Sequence, residues 1–364
     1  MIDLRSDTVT IPDQAMRAAM AQADMGDDCF GDDPTTRALE EYCADYFDKD
    51  AALFTTGGTQ SNQIAMKSLT SPGDEVVING AYHINFFEAA ATSTFSGVNF
   101  NLIHSEDGTS SVEQIEEVFE TKARWNDNYA MPRVVVLENT VGSKGGTVLA
   151  LSEMQRIKAY ANKKGAKLYL DGARVLHATA STGIPVKEYA AASDCMAMCF
   201  SKSLGAPVGS ILVGTTEFID AARRHRKWFG GDLHQAGIVA AGAHYALKHN
   251  AHRLVEDHEN MALIYHALRQ VSGVRTIYRG TNMVFADVSG LDVNATKAVE
   301  EIKRNGVNCL AWDQTHVRFV THLNIDQLQA KRAAGKICQS LENLKQIKPI
   351  SHDVSKGVAH VHVV

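Results

Sequence analysis

Short apolar runs alternate along the chain with longer stretches in which apolar residues recur every three or four positions. The runs are Ala51-Ala52-Leu53-Phe54, Glu75-Val76-Val77-Ile78, Val98 to Ile103, Val134-Val135-Val136-Leu137, Lys167-Leu168-Tyr169-Leu170, Cys195 to Phe200 and Ser210-Ile211-Leu212-Val213. Most are rich in branched side chains, which predicts buried strands. Helical patterns lie between several of them. Ala15, Met16, Ala19 and Met20 follow Pro12 at helical spacing, so a helix is expected to start near Pro12. Pro34 to Phe47 reads as a second helix. Ser152 to Lys164, with Met154, Ile157 and Ala161 on one face, reads as another. Strands alternating with helices imply an α/β fold with a mostly parallel sheet covered on both faces.

After about residue 245 the pattern changes. An amphipathic helix over Asn260 to Val271 leads into Val274 to Tyr278 and Met283 to Val288. A helix over Ala295 to Arg304, the run Cys309 to Trp312 and the run Val317 to Leu323 follow. The expected organisation is a large domain over 1–245, with an N-terminal arm, and a smaller α+β domain over 246–364.

Composition narrows the class. A chain of 364 residues, 45% hydrophobic and 21% charged, is long and apolar enough for globular domains rather than a disordered or fibrous chain. A net charge of -6 gives no general attraction to nucleic acid or anionic membrane. No run of about 18 apolar residues occurs, and Met1 to Asp7 lacks the apolar stretch of a signal peptide. Six cysteines form no CxxC pair. Cys195 and Cys199 are expected as buried thiols, and the cytoplasm is the expected location. No metal site is expected. His244, His249, His252 and His258 match no ligand spacing and are expected on a solvated helical face. Glu106-Asp107 is expected as a turn and the tail around His360-Val361-His362 as disordered.

Four features carry chemistry. Strand Ala51 to Phe54 runs into Thr55-Thr56-Gly57-Gly58-Thr59, and a helical pattern follows. That is the form of a phosphate cradle, with backbone N–H groups at a helix N-terminus, although a plain strand-to-helix turn reads the same. Asp171 stands at the carboxyl end of the strand Lys167 to Leu170, where ligand clefts of α/β sheets lie, and Arg174 follows. A structural Asp171–Arg174 pair is the plainer reading. Lys202 emerges from an apolar strand into a turn of small residues. A desolvated lysine is a Schiff-base nucleophile; a snorkelling surface lysine is the alternative. His83 follows the strand that ends at Ile78 and could stack on a flat ring or be a structural histidine. Taken in order, a phosphate turn, a histidine, an aspartate and a lysine meet the needs of pyridoxal 5'-phosphate. These are an anion site, a carboxylate for the pyridine nitrogen and an amine for the aldehyde.

At this point a resemblance becomes informative. Asp3-Leu4-Arg5-Ser6-Asp7-Thr8-Val9-Thr10, Gly26-Asp27-Asp28, Gly31-Asp32-Asp33-Pro34-Thr35, Leu137-Glu138-Asn139-Thr140, Asp171-Gly172-Ala173-Arg174 and Ser201 to Ser210 carry it. Arg226-Lys227, Gly230-Gly231 and Arg318-Phe319-Val320-Thr321-His322 add to it. The sequence resembles the low-specificity L-threonine aldolases, within the β-eliminating lyase/threonine aldolase family of fold-type I pyridoxal-phosphate enzymes. The resemblance implies the fold-type I transferase-like architecture. It implies that Lys202 binds the cofactor covalently, that Asp171 pairs with the pyridine nitrogen and that His83 stacks on the ring. Gly58 and Thr59, with Gly57, would hold the phosphate, and Arg174 would lie beside cofactor and substrate. Arg318 and Ser6 would bind the substrate carboxylate. Lys227 would approach from a neighbouring subunit of a homo-oligomer, a tetramer built as a dimer of dimers.

Departures from the family pattern fall on the substrate side. Val141-Gly142 stand where the family has histidine and asparagine, so a polar contact to the substrate's β-hydroxyl is expected to have become apolar. Asp232 replaces a glycine, His234 an arginine, Ser203 a glycine and Gly57 a serine. The expected activity is reversible cleavage of threonine-like β-hydroxy-α-amino acids to glycine and an aldehyde, with His83 or a water as base. Catalytic roles fall to Lys202, His83 and Arg174. The alternative is Cα–H cleavage, as in β-elimination, dehydration or racemisation. A third reading is a pyridoxal-phosphate-binding protein without turnover. The expected partner is a small amino acid.

Overall fold

A computed structural model describes residues 1–121 and 128–346. The expected disordered tail around His360 lies outside the described residues.

Seven strands form the main sheet, in the order 51–55, 210–214, 195–199, 167–171, 132–138, 75–79 and 99–103. The four adjoining pairs among the last five strands are all parallel. Strand Ser210–Gly214 runs antiparallel to both its neighbours. This reversal restores the direction of Ala51–Thr55 to that of the parallel strands. The carboxyl ends of 51–55, 132–138, 167–171 and 195–199 therefore emerge on one edge, where ligands bind in open α/β sheets. The apolar runs are buried as expected. Strands Glu75–Asn79, Cys195–Cys199 and Ser210–Gly214 are buried at every position, with Cys195 and Cys199 as free thiols.

Helix Pro34–Phe47 starts where its proline predicts, with the Asp33 carboxylate accepting from Thr36 N at 2.8 Å. The first helix starts at Gln14 rather than Pro12, because Asp13 caps it and accepts from Met16 N at 2.7 Å.

A second hydrophobic cluster is drawn from residues 261–344 together with Leu4. It underlies an antiparallel sheet in the order 310–311, 316–320, 283–287, 275–278. The helix expected over Asn260–Val271 spans Leu254–Leu268. Helix Gly237–Asn250 runs through residue 245. Ile2–Asp3 pairs in parallel with Val307–Asn308, which pins the N-terminal arm to this second cluster. The arm then carries Asp7 back to the main sheet's ligand edge. No helix among the described residues is long and apolar enough to cross a membrane.

The solvated face expected for the four histidines is corrected at His258. This residue is buried on helix Leu254–Leu268, and its Nε2 lies 2.9 Å from His177 Nδ1. His249 and His252 are exposed.

Candidate active site

The sheet edge brings Gly58, Thr59, Asn62, His83, Glu138, Thr140, Asp171, Arg174 and Lys202 around one cavity. Each element delivers its residue for a local reason. Gly57 precedes helix Gly58–Leu69 without any side-chain cap, so the first N–H groups of that helix are free for an anion. A Cβ at Gly58 would lie 2.8 Å from Cys199 Sγ, so only glycine lets the helix start this close to strand Cys195–Cys199. That strand then releases Lys202, half-buried, onto the cavity wall. Among the described residues the Lys202 ammonium enters no side-chain hydrogen bond or salt bridge, and its charge is felt by Asp7.

Asp171 is buried and held by two donors. Asn62 Nδ2 lies 2.9 Å from Oδ2 and Ala173 N lies 3.1 Å from Oδ1. The plainer reading, an Asp171–Arg174 pair, is not formed. Arg174 is instead paired with Asp7, Nε to Oδ2 and Nη2 to Oδ1, both at 2.7 Å. Burial opposes ionisation of Asp7, but this bidentate guanidinium overcomes it and holds the carboxyl far below the usual carboxylate range.

Glu138 and Asp171 are register neighbours on adjacent parallel strands. Burial, then the charge of Asp171, pushes Glu138 up to about 7. Its two oxygens accept from His83 N at 2.7 Å and Gly142 N at 2.9 Å, so Glu138 anchors the start of the His83 helix. His83 Nδ1 lies 2.8 Å from Glu88 Oε1, and Glu88 is fixed in turn by Asn62 and Gln63. A carboxylate partner makes Nδ1 the donor and leaves the lone pair on Nε2.

Among the described residues the Arg318 guanidinium makes one hydrogen bond, from Nη2 to Arg5 O at 3.1 Å, and its Nε is enclosed without a partner. Burial, then repulsion from Arg174, brings its guanidinium down to about 10. Among the described residues no carboxylate pairs with it. Ser6, next to Arg5, accepts from Thr8 N at 3.3 Å. Thr140 Oγ1 is a second buried polar atom without a partner, and Thr140 lines the cavity.

Ser6, Gly57 and Arg318 adjoin the cavity without lining it, Val141 is turned away from it, and Lys227, expected to reach a neighbouring subunit's site, lies outside the cavity of its own chain. Val141 is fully buried, bridges to Thr147 and does not line the cavity. Lys227 is exposed and bound to Asp232 at 3.0 Å, also outside the cavity. Near it, ligand-type atoms of Asp27, Cys29 and His234 lie within 4.8 Å of one another. His234 is already paired with Asp27, and the Lys227 ammonium 3.9 Å from Cys29 Sγ disfavours a further cation.

Sequence reasoning missed Glu88, Asn62 and Asp7 as site residues. Glu88 carried a signal, since it is the one acidic or basic residue in the stretch 80–103 apart from His83. Asn62 carried none, because Ser61, Asn62 and Gln63 are consecutive polar residues that all become buried.

Comparison with known proteins identifies the family. The β-eliminating lyase family profile matches residues 3–290. A low-specificity L-threonine aldolase of Arabidopsis thaliana is 38% identical over 89% of this chain and 92% of its own. The low specificity L-threonine aldolase of Escherichia coli K12 is 38% identical over 92% of this chain and 98% of its own. The solved threonine aldolase of Leishmania major superposes with a TM-score of 0.80 at 20% identity, covering 94% of this chain and all of that one. The chain therefore belongs to the β-eliminating lyase family, in its pyridoxal-phosphate-dependent threonine aldolase group.

Proposed function

We propose that the chain is a pyridoxal-phosphate-dependent aldolase that cleaves the Cα–Cβ bond of L-threonine-like β-hydroxy-α-amino acids to glycine and an aldehyde. The residues present suit the cofactor. Uncapped N–H groups at Gly58 and Thr59, with Gly57, suit its phosphate. Asp171 suits its pyridine nitrogen, Lys202 its aldehyde and the His83 face its ring. When bound, the cofactor supplies an electron sink conjugated to the substrate's Cα.

The protein's own residues do the rest. Arg318, with Ser6 beside it, receives the substrate carboxylate, its guanidinium being free of a carboxylate partner where that of Arg174 is not. Fixing the carboxylate sets which bond at Cα is aligned for cleavage. Arg174 is held by Asp7 as a fixed, charge-paired wall beside the substrate.

The observation that carries cleavage at Cα–Cβ is the His83–Glu88 contact of 2.8 Å. It leaves His83 Nε2 as the acceptor that takes the β-hydroxyl proton. Val141 lies behind the cavity wall, so it acts on the substrate only by shaping the segment from Glu138 to Gly142.

The test is incubation of cofactor-loaded protein with L-threonine, L-allo-threonine, L-phenylserine, L-serine and L-alanine, with products resolved by chiral chromatography. Glycine plus an aldehyde is expected. A keto acid with ammonia, or a D-amino acid, would replace this reading with Cα–H cleavage. Borohydride reduction should fix the cofactor to the wild-type chain and not to Lys202→Ala.

The proposal extends to assembly and location. A homo-oligomer, a tetramer with sites near its interfaces, is supported by the exposed aromatic residues Phe30 and Trp228 flanking the Cys29–Lys227 contact. There Lys227 would enter a neighbouring subunit's site. Six free cysteines support a cytoplasmic location. The separate cluster over 261–344 supports division into domains of 1–245 and 246–364. Light scattering tests the assembly.

A further inference from the structure

Arg318, which would hold the substrate carboxylate, lies with its guanidinium over the face of Trp312, at 4.9 Å from the ring centre. Trp312 is not a loosely placed side chain. It begins the turn between strands Leu310–Ala311 and His316–Val320, where its N–H donates to His316 O at 2.8 Å. The Asp313 carboxylate accepts from the backbone N–H groups of Thr315 and His316, each at 2.8 Å, and closes the turn. Phe285 packs edge-on to the indole at 5.4 Å from inside the small sheet.

Trp312 also meets the segment that carries His83. Phe87 is parallel to the indole within 6°, with ring centres 6.4 Å apart. Phe86 stands edge-on to the indole at 6.3 Å. Phe87 in turn packs on the His83 imidazole at 5.2 Å. An aromatic band thus runs without a break from the carboxylate-binding arginine to the cofactor-facing histidine. Those two groups mark the ends between which a bound amino acid must lie.

The band is left open to solvent. Phe86 is 44% exposed and Phe87 60% exposed. Single exposed aromatic side chains are ordinary, but several in contact beside a site form a binding surface. A methyl group on Cβ would cover little of it. An aryl group, with about 150–250 Å² of surface to bury and a preference for ring edges and faces, matches it in size and chemistry.

We propose that Trp312, Phe87 and Phe86 form the side-chain subsite of this enzyme, and that its preferred substrates are β-hydroxy-α-amino acids with an aromatic ring on Cβ rather than threonine. This rests on the aldolase reading, which places the carboxylate at Arg318 and the cofactor at His83. Trp312 has two tasks in it. One face orients Arg318, and its surroundings receive the aryl group.

The experiment compares kcat/KM for L-phenylserine and L-threonine in wild-type, Trp312→Ala and Trp312→Phe proteins. The ratio of the two is the readout, because loss of support for Arg318 weakens both substrates alike. Wild type is expected to favour L-phenylserine by about tenfold, the scale of one added aromatic contact. Trp312→Ala should bring the ratio close to one, and Trp312→Phe should restore most of it. Should Trp312→Ala fail to fold, Phe87→Ala reads the same ratio from an exposed position. Equal or better use of L-threonine by wild type, or a ratio unmoved by these variants, would overturn the subsite and leave the aldolase reading standing. If no substrate yields glycine, the aldolase reading fails. The subsite is then judged by binding of L-phenylalanine against L-alanine, followed through the cofactor's absorbance. Preference for L-phenylalanine that disappears in Trp312→Ala supports the aromatic surface, and equal binding overturns it.

Discussion

Asp7 grips Arg174 through two hydrogen bonds of 2.7 Å across 167 residues of sequence. The grip decides how the site divides its positive charge. Arg174 is neutralised within the protein, and Arg318, which feels the charge of Arg174, is not. A single anion entering the site therefore has one guanidinium to pair with. Specificity for one carboxylate follows from this asymmetry without a further residue.

Breaking the grip should be costly. Asp7→Asn leaves the buried Arg174 charge with a weaker partner, and removing one member of a buried pair typically costs about 3–5 kcal/mol. Urea unfolding of the variant should show a loss near the lower end, since Ser203 and His177 remain beside the new amide. A loss below about 1 kcal/mol would mean that Arg174 is held by something else.

His83 combines a stacking face with a basic edge, and the two can be separated. His83→Phe keeps an aromatic face for the cofactor and removes Nε2. Cofactor binding should survive while kcat falls by about 10²-fold or more, the usual scale of a positioned base. If kcat is kept, the β-hydroxyl proton goes to a water, and the Glu88 contact serves only to hold the ring.

Glu138 gives a pH signature of defined sign. Its folded-state pKa, raised by burial and by Asp171, is about 7 against 4.5 for the free side chain. Below pH 4.5 the group is protonated in both states. Between 4.5 and 7 only the unfolded chain ionises, so this group's contribution to stability is lost as pH rises. Glu138→Gln cannot ionise. The thermal midpoint of wild type relative to this variant should therefore fall between pH 4.5 and 7 and level off above. A parallel course of the two proteins would show that the Glu138 carboxyl is already ionised at pH 5 in the fold.

Much of this arrangement was legible in the sequence, and the reason is local. The strand cores are continuous branched runs, and Pro34 marks its helix because a proline belongs in the first turn. Lys202 and Asp171 stood out because a charged group directly after an apolar strand has to be explained. What stayed hidden depends on contacts between distant segments. Nothing local to Arg174 says that its partner is Asp7 rather than Asp171, three residues away. His258 reads as one polar residue among many until His177, 81 positions earlier, is packed against it. Val141 was expected at the substrate because the resemblance puts it where the family has a histidine. The chain turns after Thr140 and buries the valine among main-sheet residues such as Ile78, Val136 and Tyr169. Trp312 was read only as part of an apolar run, since its place beside Arg318 is set by strand pairing.

Ser203, which follows Lys202 and was read in the sequence as replacing a glycine, gives the final prediction. Its hydroxyl lies 3.3 Å from Asp7 Oδ2 and 2.8 Å from His177 Nε2. Because Asp7 is ionised, the hydroxyl donates to it. The serine oxygen is then free to accept, so His177 carries its proton on Nε2 and accepts at Nδ1 from His258 Nε2, 2.9 Å away. Three donors thus point in series toward one carboxylate. Both rings are neutral: burial and the neighbouring His258 push His177 far down, and burial lowers His258 to about 4. Ser203→Ala removes the acceptor for a buried N–H and should cost about 1–3 kcal/mol in urea unfolding at pH 8. In wild type, nitrogen NMR should find His177 as the Nε2–H tautomer. An Nδ1–H tautomer, or a variant as stable as wild type, would mean that the series does not run toward Asp7 and that the serine is a passive replacement for glycine.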